Sequence, residues 1–235
     1  MYGLHQSAVR ISRVTVSSGD ASLADLATAA MRGSYFGVIP RDSVFFYPSG
    51  AIRAAILSAH PEIAAVSISR SGFESISIEA DARAPVARWC GSAYSSRTAS
   101  STLAADCYLF DADGFIYATA TAAVAPINAF TVYEPLDASV TPVGVTLPYA
   151  GQFPAAFDFA RKLASFGSPA VAVGIHDGEV DDYLASGTRV TYLLGGEQNA
   201  YAALVSARAD LDLADGSIEY VDLRFPGKVY LKKKE

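Results

Sequence analysis

Ile63-Ala64-Ala65-Val66-Ser67-Ile68-Ser69, followed after a turn at Gly72 by Ser75-Ile76-Ser77-Ile78-Glu79-Ala80, decides the fold of the first part of the chain. Apolar residues fall at alternate positions: Ala64, Val66 and Ile68, then Ile76 and Ile78. That period belongs to half-buried strands, and the short connection reads as a hairpin. Upstream, Ile52, Ile56 and Leu57 share one side of a short helix, with Pro61 just past its end. Ser34 to Pro48 is an aromatic-rich connection. Before it, Leu23, Leu26, Ala27, Ala30 and Met31 fall on one face of a helix stopped by Gly33, with Ser22 as its expected N-cap and Asp25 three residues on. Val9 to Ser17 reads as the first strand. The order β-α-α-β-β predicts a three-stranded sheet with one face covered by two helices, over residues 1–84.

From Pro85 the texture changes, and residues 85–235 read as a β-rich domain with one or two helices. Strands are expected at Val86–Trp89, Cys107–Phe110, Phe115–Ala118, Phe130–Tyr133, Val143–Leu147, Ala170–Ile175, Val180–Ala185 and Arg189–Leu194. Helices fit Phe153–Phe166 and Asn199–Arg208. Asp111-Ala112-Asp113-Gly114 and His176-Asp177-Gly178-Glu179 read as hairpin turns. The Ser/Thr/Ala-rich stretch between Cys90 and Cys107 reads as an exposed loop. The fold class is therefore α+β, in two parts.

Composition narrows the function. Hydrophobic residues make up 51% and charged residues 18%, a balance that suits folded cores rather than disorder. A net charge of -6 lacks the basic excess of a nucleic-acid binder. No run of 18 apolar residues is present to span a membrane, and Met1-Tyr2-Gly3-Leu4-His5 has neither part of a signal peptide.

Candidate chemistry is sparse. His176, Asp177, Glu179, Asp181 and Asp182 form the densest polar cluster, but without the regular oxygen spacing of a calcium loop. His5 and His60 are isolated, no Gly-x-Ser-x-Gly elbow frames a serine nucleophile, and Gly195-Gly196 is not followed by the Lys-Ser/Thr of a phosphate loop. Two cysteines are too few for a zinc site made of cysteines. We expect no catalytic residue, metal or cofactor; a metal-dependent hydrolase using the acidic cluster is the enzymatic rival.

The closing segment, Tyr220-Val221-Asp222-Leu223-Arg224-Phe225-Pro226-Gly227-Lys228-Val229-Tyr230-Leu231, alternates, turns at Pro-Gly, resumes as a strand and ends in Lys232-Lys233-Lys234. It reads as a ribbon at a sheet edge, followed by a solvated basic tail. An edge can stay empty or accept a strand from another protein. Leu223, Phe225 and Val229 serve either as core or as interface.

These pieces together resemble a known family. The β-α-α-β-β unit is similar to a POTRA domain. Pro61-Glu62-Ile63-Ala64-Ala65-Val66-Ser67-Ile68-Ser69-Arg70, Ile76-Ser77-Ile78-Glu79-Ala80 and Ala84-Pro85-Val86-Ala87-Arg88-Trp89 resemble the FtsQ/DivIB bacterial cell-division proteins. So do Tyr108-Leu109-Phe110-Asp111-Ala112-Asp113-Gly114-Phe115-Ile116, Gly187-Thr188-Arg189-Val190 and the ending Tyr220-Val221-Asp222-Leu223-Arg224-Phe225. The resemblance implies a non-enzymatic scaffold on the periplasmic or cell-surface side, anchored by one N-terminal transmembrane helix that preceded Tyr2. It implies that FtsB/FtsL-like bitopic partners add a strand near the C-terminus, at Arg224, Phe225, Val229, Tyr230 and Leu231. Other divisome components would meet the POTRA-like domain. The sequence departs from the family's pattern at Asp81-Ala82-Arg83-Ala84, in the long Gly91–Asp106 loop, and at Phe225, where Tyr is often found. The alternative is a POTRA-type binding module of another envelope assembly or polypeptide-transport system. Cys90 and Cys107 flank two strands of an expected antiparallel pair and form either a disulfide, which suits an oxidising compartment, or two buried thiols.

Overall fold

The computed structural model of the chain describes residues 7–17, 19–94 and 107–234. The chain is α+β and divides into two compact units, Met1–Arg83 and Ala84–Glu235. The division falls one residue before the expected boundary.

In the first unit, β1 (Arg13–Val16), β4 (Ile63–Arg70) and β5 (Ser75–Ala82) form a sheet in the order β1-β5-β4. β5 lies in the centre, parallel to β1 and antiparallel to β4. Ile76 and Ile78 of β5 are fully buried. They meet Leu23 and Ala27 of α1 (Ala21–Ala30) and Ile52 and Ile56 of α2 (Ser49–Ala59) in one core. The intervening residues Ser67, Ser69, Ser77 and Glu79 leave the other face polar.

Several local expectations are corrected. Only Arg13–Val16 is strand; Ser7–Val9 is a 3₁₀ turn, and Arg10 bridges to Ser43 instead. The N-cap of α1 is Asp20, whose carboxylate accepts the Ser22 N–H at 2.9 Å, so Ser22 lies inside the first turn. A register shift between Ile63 and Ala65 puts Ile63 and Val66 in the core and turns Ala64 outward. Such a bulge breaks the two-residue period on which the expectation rested. The aromatic connection contains a small hairpin of β2 (Ser34–Tyr35) and β3 (Ile39–Pro40).

The second unit is built on a nine-stranded sheet. Its strands are β6 (Ala87–Trp89), β7 (Tyr108–Phe110), β8 (Ile116–Thr119), β9 (Thr131–Tyr133), β10 (Ala170–His176), β11 (Glu179–Leu184), β12 (Arg189–Leu193), β13 (Ile218–Asp222) and β14 (Tyr230–Lys233). Their order is β14-β13-β12-β11-β10-β9-β6-β7-β8. The parallel pairs β9/β10 and β12/β13 are joined through α3 (Phe153–Lys162) and α4 (Glu197–Ser206), respectively. Phe153, Phe157 and Phe159 of α3 and Leu204 of α4 pack with Val132, Val173, Tyr192 and Val221 of the strands. The helix expected to reach Phe166 tightens into a 3₁₀ turn over Leu163–Phe166. Gly167 ends it at φ 109, where an added Cβ would stand 2.8 Å from that of Ala214.

Val143–Leu147, expected as a strand, forms only one isolated bridge, Thr146 to Phe115. Pro142 and the left-handed Gly144 prevent a regular ladder there. Cys90 and Cys107, at the ends of β6 and β7, are disulfide-bonded. Residues 95–106, most of the expected exposed loop, lie outside the described residues. Among the described residues, no helix is long and apolar enough to cross a membrane.

Candidate partner-binding edge

β14 is the last strand of the nine-stranded sheet and, among the described residues, pairs on one side only, with β13. Leu223 continues the β13 direction by donating its N–H to Thr191, then Phe225-Pro226-Gly227-Lys228 reverses the chain. The Lys228 N–H closes this turn on the Phe225 carbonyl at 3.1 Å, and Gly227 at φ 69 supplies the left-handed residue that a Pro-Gly turn requires.

The ladder fixes which backbone groups are free. The Lys234 N–H donates to the Ser217 carbonyl at 2.8 Å. The register shift opposite β14 falls at Glu219 of β13, so β14 itself keeps a regular alternation. Lys232 and Lys234 therefore point their amides at β13, and Leu231 and Lys233 point theirs away from the sheet. The three lysines, expected as a solvated tail, are instead part of the strand or its direct continuation. Lys232 also forms an ion pair with Glu219 at 2.7 Å.

The five residues implicated by the resemblance divide by role. Leu231 lies opposite the buried Val221 and so shares the helix-covered face, at its outer rim, with 42% of its surface exposed. Val229 packs partly into the core, as does the buried Leu223. Tyr230 is on the opposite face, 48% exposed, edge-to-face with Phe225 at 5.4 Å between ring centroids; Phe225 is 51% exposed. These two rings form an exposed aromatic pair directly beside the open edge. Arg224 is engaged within the chain: Nε and Nη2 donate to Asp222 at 3.0 and 2.7 Å, and Nη1 donates to Glu179 at 2.9 Å. The Asp222 carboxyl is held below its ordinary pKa chiefly by the Arg224 hydrogen bond, and Arg224 is raised by Asp222 and then Glu179. Arg224 thus ties the turn to β11.

Sequence reasoning missed a groove beside this edge. On the helix-free face Tyr94, Tyr183, Arg189 and Tyr220 line a space of about 510 Å³. Tyr94 and Tyr183 lie 4.2 Å apart, and the Arg189 guanidinium sits 5.9 Å from the Tyr220 ring centre. Its parts come from four separate segments, so no local motif could announce it.

The acidic cluster does not converge. Asp177 occupies the β10–β11 turn at φ 50, followed by Gly178 at φ 78. Glu179 serves Arg224, and Asp181 accepts from Thr191 and pairs with His176 at 3.1 Å. Asp182 points into the core, where burial raises its pKa well above the usual range. Among the described residues, no group of three His, Cys, Asp or Glu side chains is placed to hold a metal ion. No protein-family model matches this chain, and no curated protein matches it in sequence.

Proposed function

We propose that the chain is the extracytoplasmic part of a division scaffold of the FtsQ/DivIB type. The β-α-α-β-β unit acts as a POTRA-like docking module for other divisome components. The second unit captures an FtsB/FtsL-like bitopic partner by strand addition on β14. The scaffold makes and breaks no covalent bond. The Cys90–Cys107 disulfide supports placement in an oxidising compartment.

The observation that carries this reading is the open β14 edge, with outward amides at Leu231 and Lys233 and the exposed Phe225–Tyr230 pair beside it. A partner strand gains affinity from those backbone groups and selectivity from alternate side chains. The aromatic pair provides the kind of anchor that dominates interface energetics. Binding of a peptide from the membrane-proximal periplasmic region of the organism's FtsB-like protein tests the proposal. We expect micromolar binding that weakens about tenfold or more in Tyr230→Ala. Absence of binding to folded wild-type protein would overturn it.

A further inference from the structure

The first unit carries a second exposed apolar surface, separate from the β14 edge. Phe36 is 98% exposed, Phe73 71%, Phe46 50% and Phe45 49%. They belong to loops at one end of this unit. The Ile11 N–H donates to the Asp42 carbonyl and the Ser12 N–H to the Glu74 carbonyl, which joins the β3–α2 connection and the β4–β5 turn at the start of β1. Arg70, at the end of β4, lies 5.5 Å from the centre of the Phe45 ring and links the same two segments through side chains.

Phe36 is the most telling of the four. It sits at the tip of the β2–β3 hairpin with φ 51, followed by Gly37 at φ 72. Turns with two left-handed residues favour Asn or Gly, since a bulky side chain is strained there. Phe36 packs on almost nothing within the chain, so neither local conformation nor the core accounts for a phenyl ring at that tip.

The charges at this end complement an anionic surface. Arg32, Arg41 and Arg70 lie among these loops, Arg41 5.6 Å from the Tyr35 ring centre. Asp42 is neutralised by its ion pair with Arg10, which leaves Glu74 as the remaining carboxylate on these loops. The local excess is positive in a chain whose net charge is -6. Separate protruding phenyl rings interspersed with arginines match a lipid interface. The rings enter the headgroup–acyl boundary and the guanidinium groups bind phosphates. A protein partner would call for a continuous patch or groove, and the two most exposed rings, Phe36 and Phe73, stand on separate loop tips.

We propose that this end of the first unit docks on the surface of an anionic phospholipid bilayer, with Phe36 and Phe73 inserted. The inference stands on these residues alone and does not depend on the reading of β14. Flotation of the full chain with vesicles of phosphatidylglycerol and phosphatidylethanolamine tests it, against vesicles of phosphatidylcholine. The expected result is partition that requires phosphatidylglycerol, weakens as salt rises, and falls about tenfold or more in Phe36→Ser/Phe73→Ser. Arg41→Gln/Arg70→Gln should lose the preference for phosphatidylglycerol, while Tyr230→Ala should float like wild type. Circular dichroism confirms that each variant is folded. Failure of the wild type to float, or equal flotation of the double-Phe variant, would overturn the proposal. Loss of flotation in Tyr230→Ala would assign the contact to the second unit and overturn it equally.

Discussion

The two ends of the nine-stranded sheet are treated in opposite ways. At the start of β8 the outer side is covered by the chain's own backbone. The Ile116 N–H donates to Val145, the Gly144 N–H to Ile116 and the Leu147 N–H to Gly114, each within 3.0 Å. At β14 no such segment lies across the outer side among the described residues, and the outward amides of Leu231 and Lys233 are free to pair. A partly covered edge and an open edge on one sheet show that irregular backbone can protect part of an edge here without a regular strand. Lysines along β14 discourage unselective pairing while leaving the backbone available. The open edge is therefore a selective surface with an aromatic anchor beside it.

The comparison can be broken from either side. The largest effect is expected near the covered edge. Replacing both Cys90 and Cys107 by Ser removes the cross-link between β6 and β7 and should destabilise the second unit by about 2–4 kcal/mol. Thermal unfolding with and without reductant measures this. Peptide binding at β14, six strands away from β6 in the sheet order, should survive below the new melting temperature. Loss of binding in a still-folded double mutant would mean that the two ends are coupled.

A proline pair sharpens the comparison at β14. Leu231→Pro removes an outward N–H and should leave stability nearly unchanged while weakening peptide binding about tenfold or more, with Leu231→Ala as the control for the side chain. Lys232→Pro removes an inward N–H and should cost stability by about 1–3 kcal/mol. Equal stability losses in the two variants would show that the alternation is misassigned.

The smallest effect is electrostatic. Arg224→Ala removes the pairs with Asp222 and Glu179 and should cost about 1 kcal/mol or less at neutral pH, because these groups are partly solvated. Asp222 has its folded pKa lowered below the ordinary 3.8, so its contribution is fully present above that value and lost as pH falls through the folded value. The difference between wild type and Arg224→Ala should therefore shrink below about pH 4. A difference that persists unchanged in acid would assign the role of Arg224 to packing.

Much of this fold was legible because its strands alternate cleanly and its turns use Gly where φ must be positive. Ile76 and Ile78 announced the first core, and Asp177-Gly178 announced the β10–β11 hairpin. What was hidden depended on tertiary context. The bulge at Ile63–Ala65 and the capping of α1 by Asp20 each hinge on one residue of register. The cover over β8 comes from a segment whose Pro142 and Gly144 suppress a ladder while its carbonyls and amides still reach Ile116. At the candidate site, the alternation and the Pro-Gly turn were readable, while the choice between core and interface for Leu223 was made only by the structure, which buries it. The diversion of Arg224 to Glu179 was not readable, since those residues are 45 positions apart in sequence.

Residue-resolved amide exchange of β14, with and without saturating FtsB-like peptide, tests the central claim most directly. Strand addition predicts that the Leu231 and Lys233 amides exchange rapidly in the free protein and slow about tenfold or more in the complex, while the Lys232 and Lys234 amides, already paired with β13, change little. Peptide binding that leaves Leu231 and Lys233 unprotected would contradict the account and place the partner on another surface.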